Sequence, residues 1–158
     1  GDDVLSPGAG SFSYTGTVEG GAGRDRIIID QESVNEVFGG PGRDTIDFRN
    51  APVGINVALR YGQYLDPTLT GAIGYGVYKV EVVYGSEFDD YLRGNGRGNR
   101  LYGFGGDDHL YGYSGDDLLY GGDGDDYLAG GADSDLDDGG AGWDACWQWE
   151  VAGIDCEN

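Results

Sequence analysis

The sequence contains no methionine, one histidine and two cysteines, and its nine basic residues face 29 acidic ones, which gives a formal net charge of −20. A surface this acidic repels phosphate backbones, so we expect no nucleic-acid partner. One histidine and two cysteines also offer no ligand set with the spacing of a zinc site. No apolar run approaches the roughly 18 residues that a membrane-spanning helix needs, so we expect no membrane span.

Glycine is abundant instead, with 33 of the 158 residues. Because glycine is costly inside helices, this composition argues against a helical bundle. A chain rich in glycine and aspartate is either disordered or a repeat protein whose turns require glycine and whose ligands are aspartates. The aromatic content of 13% favours the repeat protein.

A nine-residue period runs from Gly85 to Trp147. Position 1 of each unit is glycine, and two earlier units, 20–28 and 39–47, follow the same pattern. Position 8 is leucine in the first five units of the run: Leu92, Leu101, Leu110, Leu119 and Leu128. Position 6 is acidic or an amide in all of them: Asp25, Asp44, Asp90, Asn99, Asp108, Asp117, Asp126, Asp135 and Asp144.

The period predicts a stacked β structure. The first six residues of a unit must turn, and glycine permits the positive φ angles of a tight turn. The last three form a short strand with one side chain inward and two outward, because side chains alternate along a strand. Two units then make one coil, and stacked coils give two parallel sheets with an apolar core between them.

These units resemble the repeats-in-toxin (RTX) family, whose nonapeptide G-G-x-G-x-D-x-U-x forms a calcium-binding β-roll. The resemblance covers residues 20–28, 39–47 and 85–144, and unit 121–129 fits in full. It implies an all-β fold, a parallel β-roll (right-handed β-solenoid) with calcium ions in its turns. RTX chains are often exported by type I secretion and fold outside the cell, so the resemblance also implies a secreted, extracellular protein. General secretion is an equally open route.

The resemblance further implies which groups bind calcium. Stacked turns bring carboxylates close together, and Ca²⁺ relieves their repulsion by taking six to eight oxygen ligands. Turns 85, 103, 121 and 139 would form one stack and turns 94, 112 and 130 the other, with Asp25 and Asp44 adding one more site. We expect about four to seven ions. The position-6 side chains above would supply one ligand each, and backbone carbonyls would come from Gly103, Gly105, Gly112, Gly121, Gly122, Gly124, Gly130, Gly139, Gly140 and Gly142.

The alternative for any single aspartate is an ordinary solvated acidic turn. For the position-5 aspartates we prefer that alternative and expect plain surface charge. These residues are Asp89, Asp107, Asp116 and Asp125.

The pattern fails near the C-terminus. Asp133 replaces the position-4 glycine and Asp137 occupies a core position, so we expect unit 130–138 to fray. Cys146 then stands where an apolar residue belongs, and Cys156 follows it. In an extracellular chain the two cysteines indicate a disulfide that closes a C-terminal cap, with two buried free thiols as the alternative. The side chains expected to cover the open end are Trp143, Trp147, Trp149 and Val151.

We therefore expect one structural domain in four parts: degenerate RTX coils at 1–47, wider coils or an insertion continuing the roll at 48–84, regular repeats at 85–144, and the cap at 145–158. Residues 11–19 and 30–38 resemble degenerate turns. The opening residues fit the second half of a unit, so we expect a fragment of a longer chain with a covalently linked catalytic or adhesive domain.

Three classes of function are considered. The first is a non-catalytic calcium-binding module that folds outside the cell and supports the stability, secretion or attachment of a larger secreted protein. The second is an enzyme, which we do not expect, because the single His109 lies at an outward position without a nucleophile motif. The third is a module that binds polysaccharide or a cell surface through outward aromatic rows, with stacking within the rows as the alternative. Those rows would comprise Tyr91, Tyr111, Tyr127 and Trp147 with Arg93 and His109 on one face, and Tyr102 and Tyr120 with Arg100 and Leu118 on the other.

Overall fold

The computed structural model describes residues 1–6, 16–29, 34–60 and 76–147, and all regular structure in these ranges is β. None of them forms a helix, so none contains one long and apolar enough to cross a membrane. The strands are β1 (Val4–Leu5), β2 (Gly16–Glu19), β3 (Arg26–Ile28), β4 (Val34–Phe38), β5 (Thr45–Asp47), β6 (Asn56–Arg60), β7 (Gly76–Tyr78), β8 (Val82–Tyr84), β9 (Tyr91–Arg93), β10 (Arg100–Gly105), β11 (His109–Ser114), β12 (Leu118–Asp123), β13 (Tyr127–Ala132), β14 (Leu136–Ala141) and β15 (Ala145–Trp147).

The strands form two sheets in which every neighbouring pair is parallel. The seven-stranded sheet has the order β1-β3-β5-β8-β10-β12-β14, and the eight-stranded sheet has the order β15-β13-β11-β9-β6-β7-β4-β2. From β7 onwards, consecutive strands alternate between the two sheets. The predicted all-β parallel solenoid is thus confirmed.

The nine-residue period sets the register. Leu101 pairs with Leu119 in the seven-stranded sheet, and Leu110 pairs with Leu128 in the eight-stranded sheet. The position-8 leucines are completely buried, and they join Ile27, Ile46 and Val83 in one core. Each such side chain stabilises the roll by about 1.5–3 kcal/mol relative to an exposed one. Leucine at one fixed position in every unit therefore builds a continuous core between the sheets.

Residues 48–60 and 76–84 belong to the same two sheets, and neighbouring turns here are farther apart in sequence than in the regular repeats. Asp44 and Glu81, which occupy neighbouring turns, are 37 residues apart, and the neighbours Ile55 and Asp90 are 35 apart, whereas regular neighbours are 18 apart. β6 and β7 lie side by side in the eight-stranded sheet, and the buried Val57 and Val77 extend the core there.

The C-terminal end differs from expectation in one respect. Cys146 pairs with Leu128 in the β-ladder and packs, half-buried, against the core. Trp143 and Trp147, however, are 79% and 68% exposed, so the prediction that these two rings cover the open end is wrong. Trp147 follows the inward Cys146 directly, and strand alternation turns its side chain outward. Cys156, Trp149 and Val151 lie outside the described residues, as do 11–15 and 30–33 of the two predicted degenerate turns.

Candidate calcium-binding turns

The position-6 side chains form a hydrogen-bonded ladder beside the eight-stranded sheet. The backbone N–H of Asp90 donates to Oδ1 of Asp108 over 2.7 Å, that of Asp108 donates to Asp126 over 2.8 Å, and that of Asp126 donates to Asp144 over 3.0 Å. Each carboxylate therefore reaches the preceding turn of its stack. This contact fixes the side chain and places successive carboxylates in a line.

A second ladder follows the seven-stranded sheet. The backbone N–H of Asn99 donates to Oδ1 of Asp117 over 2.7 Å, and the backbone N–H of Asp117 donates to Oδ1 of Asp135 over 3.0 Å. Nearer the N-terminus, the backbone N–H of Asp25 donates to Oδ1 of Asp44 over 2.9 Å. The Asp25 and Asp44 turns precede strands of the same sheet, so they belong to this stack.

Glu81 is the member of this ladder that sequence analysis missed. Its Oε2 accepts the backbone N–H of Asp44 over 2.9 Å, and burial raises its pKa. The clue lay in residues 76–84, GVYKVEVVY, which form a nonapeptide directly before Gly85 with glutamate at position 6 and Val83 at position 8. The unit escaped notice because glutamate replaces the aspartate or asparagine that every other unit has at position 6.

One carboxylate oxygen in most of these turns receives no hydrogen bond. Oδ1 accepts the ladder hydrogen bond, whereas Oδ2 is buried and receives no hydrogen bond. This holds for Asp25, Asp44, Asp108, Asp117, Asp126, Asp135 and Asp144. An unsatisfied buried charge is costly unless a cation or a donor meets it. Because the same buried oxygen lacks a donor in turn after turn, the arrangement fits a repeated cation site.

The position-1 glycines bring further oxygens to the same place. A Cβ atom added to Gly112 would lie within 3.0 Å of both Oδ2 of Asp117 and the carbonyl oxygen of Gly130. Equivalent collisions arise at Gly103 and Gly121 with Asp108 and Asp126. These glycines are required because a side chain would fill the space that the two oxygens share. Such convergence of carboxylate and carbonyl oxygens matches the ligand chemistry of Ca²⁺.

Electrostatics point in the same direction. Burial raises the pKa of Asp108 to about 8, that of Asp117 to about 7 and that of Asp126 to about 6, and neighbouring acidic groups add to each shift. Loss of solvation disfavours the charged form of a carboxylate. Without a cation, these three carboxyls therefore take up protons at a higher pH than an ordinary aspartate does. A bound cation would lower their pKa values again.

Two predicted ligands, Asp90 and Asn99, sit in a different environment. Ser86 donates to both oxygens of Asp90, from its backbone N–H over 2.6 Å and from its hydroxyl over 2.8 Å. The backbone N–H of Asn95 donates to Oδ1 of Asn99 over 2.8 Å. These two turns satisfy their position-6 oxygens with hydrogen bonds from position 2.

Backbone conformation at position 2 separates the two kinds of turn. Gly122, Gly131 and Gly140 adopt positive φ there, and so do Phe104 and Tyr113, at 85° and 80°. Ser86 and Asn95 do not. Non-glycine residues with positive φ are strained. Phe104 and Tyr113 therefore adopt this conformation at an energetic cost, in turns where Oδ2 of the position-6 aspartate receives no hydrogen bond.

The other glycines that we predicted to bind calcium through their carbonyl oxygens have a role in shaping the turns. Gly124 and Gly142 at position 4 adopt positive φ, and a Cβ on either would strike the backbone of the preceding coil. The role of these glycines as calcium ligands stays a prediction. Across the described residues, no group of three or more His, Cys, Asp or Glu side chains converges on one point.

The position-5 aspartates are exposed, as expected, but they are more than surface charge. Oδ1 of Asp89 accepts the backbone N–H of Asp107, Asp107 accepts that of Asp125, and Asp125 accepts that of Trp143, each over 2.9 Å. They form a solvent-facing ladder parallel to the buried one. In this stack each turn is thus tied to the next by two carboxylates, one buried and one exposed.

The outward aromatic rows exist and stack within themselves. Tyr102 and Tyr120 lie face to face with ring centroids 4.8 Å apart, and His109 stacks on Tyr91 and Tyr127. Such contacts stabilise neighbouring strands.

Asp137 is buried at its core position, where Oδ2 accepts the N–H of Gly130, and burial raises its pKa to about 6.

The fold and these turns define a parallel β-solenoid with acidic, glycine-rich turns in register. The family model described as the RTX calcium-binding nonapeptide repeat (4 copies) matches the chain in three overlapping segments, residues 75–96, 84–119 and 102–137. Residues 75–137 are therefore similar to RTX calcium-binding repeats, and the match begins before Gly85, in agreement with the Glu81 unit. The sequence has no match among curated proteins.

Proposed function

We propose that this chain is a non-catalytic calcium-binding β-roll module that folds on calcium outside the cell and supports the stability, secretion or attachment of a larger secreted protein. The observation that carries the proposal is the row of buried Oδ2 atoms without hydrogen-bond donors. Calcium supplies the positive charge that these oxygens lack.

Particular residues would hold the ions. In four places, two neighbouring turns each carry a carboxylate whose buried Oδ2 receives no hydrogen bond. These pairs are Asp25–Asp44, Asp117–Asp135, Asp108–Asp126 and Asp126–Asp144. We propose the gaps between these four pairs as the strongest sites, within the expected range of four to seven. Carbonyl oxygens of the turn glycines would complete the coordination.

Calcium titration of the metal-stripped chain tests the proposal. Self-repulsion from the net charge opposes compaction, so the stripped chain should be largely disordered by circular dichroism. Calcium near roughly 10⁻⁴–10⁻³ M should induce β structure cooperatively. Magnesium is the control, since it prefers near-ideal octahedral geometry and dehydrates reluctantly. A chain equally folded in excess chelator, or folded equally well by magnesium, contradicts the proposal.

We also propose a Cys146–Cys156 disulfide. Cys146 packs against the core at the last coil, where a covalent link would hold the following segment to the open end of the roll. Mass spectrometry of the oxidised, folded chain would detect it. Attachment to polysaccharide is the second candidate function, and a pocket lined by Arg24, Arg26, Arg43 and Arg100 on the seven-stranded sheet favours it.

A further inference from the structure

The few basic residues of this acidic chain are unevenly distributed. Of the nine lysines and arginines, four line a single pocket of about 240 Å³ on the outer face of the seven-stranded sheet. Tyr84, Tyr102 and Asp25 share the lining. We call this the arginine pocket, after Arg24, Arg26, Arg43 and Arg100.

The arginines are spread along the axis of the roll. Arg26 on β3 pairs with Thr45 on β5, Thr45 pairs with Val82 on β8, and Val82 pairs with Arg100 on β10. Three strand spacings of about 4.8 Å place Arg26 and Arg100 roughly 14 Å apart. Arg24 and Arg43 lie in the turns directly before β3 and β5. A ligand that meets all four must therefore be extended.

Three of the four guanidinium groups are available. Arg26 is held by Asp47, which accepts hydrogen bonds from its Nε and Nη2. Arg24 and Arg43 are exposed and Arg100 is half-buried. Within the described ranges, none of these three has a carboxylate at ion-pair distance. Arg43 acts on the half-buried Glu81 only at longer range.

We propose that the arginine pocket binds an acidic polysaccharide that lies across the strands, with its carboxylates on the arginines and its sugar rings beside Tyr84 and Tyr102. The guanidinium fork matches a carboxylate in geometry and charge. Tyrosine adds apolar ring surface and a hydroxyl.

The spacing of negative charges along the polymer favours an acidic polysaccharide over a nucleic acid. Duplex DNA carries one charge per roughly 1.7 Å, and the rest of this surface, with its excess of carboxylates, would repel so dense a polyanion. A uronate chain carries one charge per sugar ring, so its carboxylates can meet separated arginines while the intervening atoms remain neutral. The proposal depends on the proposed function only in requiring the roll to be folded in calcium.

Binding of short fluorescent oligogalacturonates, measured by anisotropy in calcium, tests the proposal. Uncharged malto-oligosaccharides of equal length are the ligand control. The test variant is Arg43→Gln/Arg100→Gln. The matched control is Arg93→Gln/Arg97→Gln, which removes the same charge from two residues that do not line the pocket: Arg93 points outward on the eight-stranded sheet, and Arg97 is exposed in the turn before β10.

We expect the pocket variant to bind at least about tenfold more weakly, since two charge-assisted contacts are lost, and the control to bind nearly as wild type. Added salt should weaken wild-type binding. Equal losses in both double variants, or equal binding of the uncharged sugar, would overturn the proposal. So would full competition by inorganic phosphate, which indicates a small-anion site, or tighter binding of an oligonucleotide.

Circular dichroism of the same samples separates this proposal from the proposed function. A chain that folds in calcium but binds no oligogalacturonate contradicts only the acidic-polysaccharide site. A chain that stays unfolded in calcium contradicts both.

Discussion

Replacing Asp108 by asparagine should change stability in opposite directions with and without calcium. Asp108 is fully buried, its Oδ1 accepts the N–H of Asp90, and its Oδ2 has no partner. Asparagine keeps an oxygen for the ladder hydrogen bond and removes the charge. In chelator the substitution removes an unfavourable buried carboxylate, whereas in calcium it removes a ligand.

The magnitude follows from the pKa of Asp108. Burial raises that pKa from 3.8 to about 8. At pH 7 the metal-free fold must therefore take up a proton that the unfolded chain has lost about three pH units lower, at a cost of about 4 kcal/mol. Because the folded-state pKa is raised, this carboxyl favours folding most at low pH, and its contribution is lost as the pH rises from about 4 towards 8. Asp108→Asn should recover up to that amount in chelator.

Two titrations followed by circular dichroism measure the effect. In chelator, a stabilising osmolyte such as trimethylamine N-oxide drives compaction, and Asp108→Asn should fold at a lower concentration than wild type. In calcium without osmolyte, the same variant should require at least about tenfold more calcium. Asp107→Asn is the control, because Asp107 is exposed and keeps its ladder acceptor. Equal calcium midpoints for the two variants, or a loss of stability in chelator, would refute the ligand assignment.

Three further predictions concern the turns and the cap. Tyr113→Gly should stabilise the calcium-bound roll by about 1 kcal/mol in urea unfolding, because it relieves a φ of 80° at an exposed residue; unchanged or lower stability would contradict the strain argument. Asn99→Asp should lower the calcium midpoint and add binding stoichiometry in calorimetry, because a second oxygen would replace the buried, unpartnered Nδ2; an unchanged isotherm would count against it. Cys146→Ser with Cys156→Ser should raise the calcium requirement, since closing about ten residues is worth on the order of 2–3 kcal/mol; an identical calcium midpoint would exclude a stabilising disulfide.

The regular half of the roll follows directly from the sequence. Each unit combines a glycine that a turn requires with a leucine that only the core accommodates, so the nine-residue period fixes both strand and register. Leu101 therefore pairs with Leu119 without any long-range information. The ladder of position-6 aspartates follows for the same reason, because equal spacing along the chain becomes stacking in space.

What escaped prediction depends on contacts across the irregular segment. Glu81 takes its place only because β8 lies between β5 and β10, after a connection of 37 residues from Asp44. The arginine pocket arises in the same way, since Arg43 and Arg100 become neighbours only through β8. No local pattern carries that information. The exposure of Trp143, by contrast, agrees with the period, because Trp143 occupies position 5 of unit 139–147, the position whose aspartates we expected at the surface.

The hydrogen bonds at Ser86 and Asn95 imply that calcium dependence varies along the roll. In a solenoid, stability is approximately a sum of terms for each repeat and its neighbours. Where position 2 turns its N–H towards the position-6 side chain, as at Asp90 and Asn99, the turn needs no cation to satisfy that oxygen. Where position 2 adopts positive φ, the N–H is turned away and the carboxylate is left open. Residues 85–102 therefore form a coil whose position-6 oxygens accept hydrogen bonds, between two segments whose buried Oδ2 atoms receive none. We expect metal removal to loosen the roll from both ends towards this coil, because the electrostatic cost lies in the flanking turns.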